Sequence, residues 1–135
     1  MSRNPNRNEE IETWVASKRD EGLPTQYLGR NSYLVNGKKT NVHFASPRRD
    51  GTFWFGFGLD SAQLENVDVF VFLCGKPENY YAIPRKLMEK IASWRGSTNR
   101  YNFRIDVTTH EYISQERHGI KDYYQNNSTF YSPFR

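Results

Sequence analysis

Two stretches of this 135-residue chain concentrate side chains able to hold a polyanion. Residues 30–49 carry Arg30, Lys38, Lys39, Arg48 and Arg49 with no acid, and residues 83–104 carry Arg85, Lys86, Lys90, Arg95, Arg100 and Arg104 against Glu89 alone. Between them lies an acidic segment, with Asp50, Asp60, Glu65, Asp68 and Glu78 set against Lys76. The formal net charge of +4 is therefore modest but segregated. If folding brings both basic blocks to one side, they form a surface for phosphate groups. Lys38, Lys39, Arg48, Arg49, Arg85 and Lys86 are the expected phosphate contacts, the last two helped by the N–H groups of a helix N-terminus. His43 and Trp54 are the side chains expected to meet a base. Aromatic residues interleave with these bases and can stack on nucleotides, so DNA is the expected partner and RNA stays open.

Other chemistry is thinly represented. Cys74 has no second cysteine to pair with, and it sits in an apolar run where packing is its expected role. His43, His110 and His118 lack zinc-ligand spacing, and the latter two fall in an expected solvated loop. Gly56-Phe57-Gly58 is not followed by the Lys-Ser/Thr of a phosphate loop. One hydrolytic set remains: His43 with the displaced carboxylates Asp60 and Asp68, and Glu65 nearby, would make a Mg²⁺-dependent nuclease. The competing expectation puts Asp60 and Glu65 on a solvated loop and Asp68 as a turn cap. A third class is a protein-interaction module using Tyr123, Tyr124, Phe130, Tyr131 and Phe134, if these do not fold back on the sheet. A homodimer or larger complex stays open.

Composition bounds the scaffold. Leu, Ile, Val and Phe supply only 29 residues, so the 21 aromatics must provide much of the core. The length suits one domain, with residues 1–7 frayed and residues 128–135 a loose aromatic tail. No apolar run is long enough to span a membrane, no cationic amphipathic helix stands out, and one cysteine fits a reducing compartment, so a cytoplasmic location is expected.

The positioning elements follow from periodicity. Asn8 as N-cap, acids at Glu9 and Glu10, and Ile11, Trp14 and Val15 at helical spacing predict a helix to about Arg19. Tyr33 to Val35, the turn Asn36-Gly37 and a return strand to Ala45 predict a type I′ hairpin. After a turn at Pro47 to Gly51, Thr52 to Phe57 is expected as the third strand of an antiparallel meander. Val67 to Cys74 is apolar on both faces and predicts a central strand covered on both sides. Tyr80 to Ile83 returns antiparallel. Pro84 then opens a helix with Leu87, Met88, Ile91 and Trp94 on one stripe and Gly96 as its stop. Tyr101 to Val107 is the expected last strand, and a helical turn follows at Lys121. The sum is α+β or mixed α/β, with a single central sheet flanked by two helices.

The hairpin from Tyr33 to Ser46, the strands Gly51 to Phe55 and Val67 to Phe72, and the step Tyr80-Tyr81-Ala82-Ile83-Pro84 together resemble the PD-(D/E)XK, restriction-endonuclease-like superfamily. The stretch Gly119 to Asn127 resembles the short terminal helix of several such domains. This likeness spans about Asn31 to Met88. It implies a restriction-endonuclease-like core and a setting in restriction, modification or defence. In active members an acid on the first hairpin strand and an acid-x-lysine on the second hold Mg²⁺. Here those positions fall at about Ser32, Asn41 and His43, and residues 30–49 contain no carboxylate. The resemblance thus implies a fold kept for DNA binding without metal-dependent hydrolysis.

Overall fold

A computed structural model describes residues 7–29, 31–58, 66–91, 100–114, 116–128, 130 and 132–134. The order is α1 (Arg7–Asp20), β1 (Thr25–Gly29), β2 (Ser32–Val35), β3 (Lys38–Ala45), β4 (Thr52–Gly58), β5 (Val69–Cys74), β6 (Tyr80–Pro84), α2 (Arg85–Ile91), β7 (Arg100–Asp106), β8 (Glu111–Ile113) and β9 (Arg117–Gly119), then a 3₁₀ turn at Lys121–Tyr123. The class is mixed α+β with mostly antiparallel pairing.

β5 organises the molecule. All six of its residues are buried, and they alternate between two cores. Val69, Val71 and Leu73 pack with Ile11, Trp14 and Val15 of α1, while Phe70, Phe72 and Cys74 pack with Phe53, Phe55, Phe103, Ile105 and Tyr112. A period-two strand buried on both sides must be sandwiched, as its continuous apolar run predicts. The layers are therefore α1, a five-stranded sheet ordered β1-β2-β3-β5-β6, and a four-stranded sheet ordered β4-β7-β8-β9 with α2 beside it.

Two sheets replace the single sheet expected from sequence, and β4 is the reason. β3 pairs with β5 in parallel, from Thr40 opposite Val69 to Ala45 opposite Cys74. Parallel neighbours need a connection that leaves the sheet, and β4 lies inside that connection. It pairs antiparallel with β7 instead, Trp54 opposite Arg104, and turns Phe53 and Phe55 onto the first sheet. The first three strands of the five-stranded sheet do form an antiparallel meander, but its outer member is β1, not β4. Nor is β7 the last strand, since β8 and β9 follow it.

Helix α1 ends as its sequence demands: Gly22 takes φ 86°, and Gly22 and Leu23 donate their N–H groups to the carbonyls of Arg19 and Lys18 at 2.9 and 3.0 Å. Lys18 is buried, with its ammonium donating to Glu21 at 2.7 Å and to the Tyr80 hydroxyl at 2.8 Å. Two described rings of the stretch expected as a loose tail, Phe130 and Phe134, are packed. Phe134 is 1% exposed, packs edge-on against Trp14 at 5.8 Å, and its carbonyl accepts a hydrogen bond from the Asn36 amide. Phe130 packs against Tyr80, and Tyr124 lies 4.8 Å from Tyr81. With few aliphatics available, these rings pack against the two cores. Tyr131, Trp94, Gly96 and residues 1–6 lie outside the described residues.

Candidate nucleic-acid interface

The hairpin turn is type I′ as expected, with Asn36 at φ 49° and Gly37 at φ 82°. It delivers Lys38 and Lys39 to the start of β3, where both are exposed. Asp68 ties that point to the second basic block. Its carboxylate accepts the Lys39 N–H at 2.9 Å, its own N–H donates to the Lys39 carbonyl at 2.8 Å, and its carbonyl accepts the Arg85 N–H at 2.9 Å. Val69 sits opposite Pro84 in the adjacent pair, so β6 ends at the same edge. Lys38, Lys39, Arg85 and Lys86 are thus brought to one end of the five-stranded sheet. Arg85 also lies 4.0 Å from the Asp68 carboxylate and 3.7 Å from that of Glu89, so part of its charge is already balanced.

Arg48, Arg49 and Trp54 form a separate cluster. β3 runs for eight residues from Lys38 to Ala45, which at about 3.3 Å per residue separates its ends by about 23 Å. Beyond the far end, a tight loop carries Arg48 and Arg49. Arg48 donates its N–H to the Thr52 carbonyl at 2.8 Å, and Gly51, at φ 82°, donates to the Arg48 carbonyl at 3.0 Å. The Asp50 carboxylate accepts the Thr52 hydroxyl at 2.6 Å and the Thr52 N–H at 3.0 Å, and these bonds hold its pKa below the usual carboxylate value. Trp54, 44% exposed, has the guanidinium carbons of Arg48 and Arg104 at 5.0 and 5.6 Å from its ring. Pro47, Arg48, Arg49, Asp50 and Trp54 line an open hollow of about 580 Å³. Arg104 was not among the expected contacts. Alternation along β7 marks it, because Phe103 and Ile105 face the core and leave Arg104 on the outer side.

The positions at which the chain departs from the nuclease pattern lie between these clusters. Ser32 stands opposite Asn41 in the β2–β3 pair, and its hydroxyl donates to the Asn41 side-chain carbonyl at 2.9 Å. His43 follows on the same face of β3, half-buried and stacked on Phe72 at 5.6 Å. His43 and Asp68 do not come together: Asp68 meets β3 at Lys39, four residues or about 13 Å along the strand. Asp60 and Glu65 lie outside the described residues. Among the described residues no three of His, Cys, Asp and Glu converge as metal ligands would.

The remaining reactive groups serve the core. Burial pushes the Cys74 thiol and the Tyr81 phenol up from their ordinary pKa values. His110 differs from the solvated residue expected, because its Nδ1 is 2.8 Å from the buried Tyr81 hydroxyl and its ring packs on Tyr124. A hollow of about 630 Å³ between α1 and the β1–β2 hairpin is lined by Ile11, Val15, Tyr27 and Tyr33. Glu12 and Arg19, of opposite charge, also line it, so it offers no field for a polyanion. No helix among the described residues is long and apolar enough to cross a membrane. Neither a scan against protein-family models nor a search of curated proteins finds a match to this chain.

Proposed function

We propose that this chain is a non-enzymatic DNA-binding domain on a restriction-endonuclease-like scaffold whose catalytic positions are substituted. One observation carries the reading: Lys38 and Lys39 meet Arg85 and Lys86 at one sheet end, around the hydrogen bonds of Asp68. Four cations gathered against two carboxylates, Asp68 and Glu89, leave a net positive field suited to the closely spaced phosphates of a duplex. A role as a recognition module in a restriction, modification or defence system rests on the sequence resemblance alone.

Titration against matched duplex, single-stranded and RNA oligonucleotides at two salt concentrations tests it. Duplex binding that weakens steeply with salt supports the reading, and no retention of duplex at 50 mM salt removes it. A nuclease is the second reading, in which His43 would act from the face of β3 that it shares with Asn41. Incubation with plasmid and Mg²⁺ or Mn²⁺ separates the two: cleavage abolished by His43→Ala, and not by Lys38→Ala with Lys39→Ala, establishes the nuclease.

A further inference from the structure

The register of the four-stranded sheet lines up one row of side chains on its outer face. Trp54 stands opposite Arg104, Arg104 opposite Ile113, which is buried, and Ile113 opposite Arg117. Directly paired residues share a face, so these four project together, on the side away from Phe53, Phe55, Phe103 and Ile105. At about 4.8 Å per strand the row is about 14 Å long. Arg48 and Arg49 extend it from the loop before β4, Arg48 already lying over the Trp54 ring.

All the cations here are arginines, whereas the sheet end at Lys38 holds three lysines and one arginine. The difference is chemical. A guanidinium stacks on flat rings and grips phosphate through two parallel bonds, while an ammonium acts as a compact point charge. An exposed indole among guanidinium planes suits a ligand that offers both a π-face and a phosphate. Bases within a duplex keep their faces stacked inside, so only unpaired nucleotides present both. The neighbouring row is acidic, with Asp106 opposite Glu111, and confines a bound strand to the arginine row. Two arginines of the row already have carboxylate partners, Asp50 at 3.8 Å from Arg104 and Glu111 at 3.0 Å from Arg117. Arg48 and Arg49 carry no such ion pair among the described residues.

We propose that this outer face is a second site, which stacks unpaired nucleobases on Trp54 and holds their phosphates with Arg48, Arg49 and Arg104. It rests on the nucleic-acid reading above but uses a different surface. Its ligand is a short single strand, DNA or RNA, and no base is recognised by hydrogen bonding.

The test is fluorescence anisotropy with labelled twelve-residue oligodeoxyuridine, oligouridine, an abasic strand of equal length and a duplex. Wild-type protein is expected to bind at least one base-bearing strand about tenfold or more tighter than the abasic strand, and the tighter of the two identifies the sugar. Trp54→Ala is expected to remove that advantage and leave duplex binding within twofold, while Trp54→Phe retains most of it. Equal affinity for abasic and base-bearing strands, or Trp54→Ala without effect on either, overturns the second site and leaves the duplex reading standing. Loss of every nucleic-acid ligand in the wild type overturns both. Thermal melting of both variants checks the fold, and if Trp54→Ala unfolds, the abasic comparison in the wild type decides.

Discussion

The two cationic regions of this protein stand about 23 Å apart along β3 and are built by opposite means. At the sheet end, backbone hydrogen bonds through Asp68 bring together residues distant in sequence, and the charges are mainly lysine ammonium groups. On the outer sheet face, cross-strand register and a tight loop do the positioning, and the charges are guanidinium groups around an exposed indole. The difference teaches that net charge alone is a poor guide to ligand. On the proposed reading, the lysine end would take a rigid array of phosphates and the arginine face bases that are free to stack.

The sharpest way to break that contrast is to remove the lysines. Lys38→Ala with Lys39→Ala is expected to weaken duplex binding about ten- to hundredfold near 0.1 M salt, since each lost phosphate contact removes about one unit of salt slope. Binding of an unpaired strand should fall far less, and an equal loss on both ligands would merge the two regions into one. Asp68→Asn probes the same end in the other direction. The amide oxygen can still accept the Lys39 N–H, but a negative charge is gone, so duplex affinity should rise severalfold at low salt. A nuclease that used Asp68 as a metal ligand would instead lose cleavage with this substitution.

Gly37→Val is the next smaller test. Space around its Cβ is open, so the cost is confined to the φ of 82°, about 1–2 kcal/mol of stability, read as a lower midpoint in urea. Duplex binding should weaken more than single-strand binding, because the turn presents Lys38 and Lys39. The smallest effect expected is that of acid on the Arg48 loop. The Asp50 pKa is lowered by folding, so its contribution is complete above the ordinary value of 3.8 and is lost as pH falls through the lower folded value. Order of the loop, read by NMR from the Thr52 amide shift, should therefore hold steady from pH 7 to about pH 5 and change only below pH 4. A change centred near pH 6 would assign the loop's order to a histidine instead.

Much of the scaffold was legible because local pattern and tertiary role agree. β5 reads as central from its continuous apolar run, the Asn36-Gly37 hairpin from its turn residues, and α1 from Ile11, Trp14 and Val15. β4 read correctly as a strand and wrongly as a neighbour of β3, because its place depends on the non-local parallel pairing of β3 with β5. β1 was missed because it is an edge strand whose Gln26, Tyr27 and Leu28 are exposed, so burial leaves no alternation to read. The burial of Phe134 under Trp14 was hidden for a related reason: a contact between the two ends of a chain has no periodicity. At the candidate interface, the basic blocks name Lys38, Lys39, Arg85 and Lys86, but charge along the sequence does not separate them from Arg48, Arg49 and Trp54. The separation is set by β3, which carries Lys38 and Ala45 to opposite ends of the sheet. Arg104 was within reach of the alternation along β7.

The most direct test of the central claim is the salt dependence of duplex affinity. With Lys38, Lys39, Arg85 and Lys86 each engaging a phosphate, the log–log slope should be about −3.6 for the wild type and about −1.8 for the Lys38→Ala, Lys39→Ala variant. A wild-type slope near zero, or one unchanged in the variant, would contradict the assignment of that sheet end to the phosphate backbone.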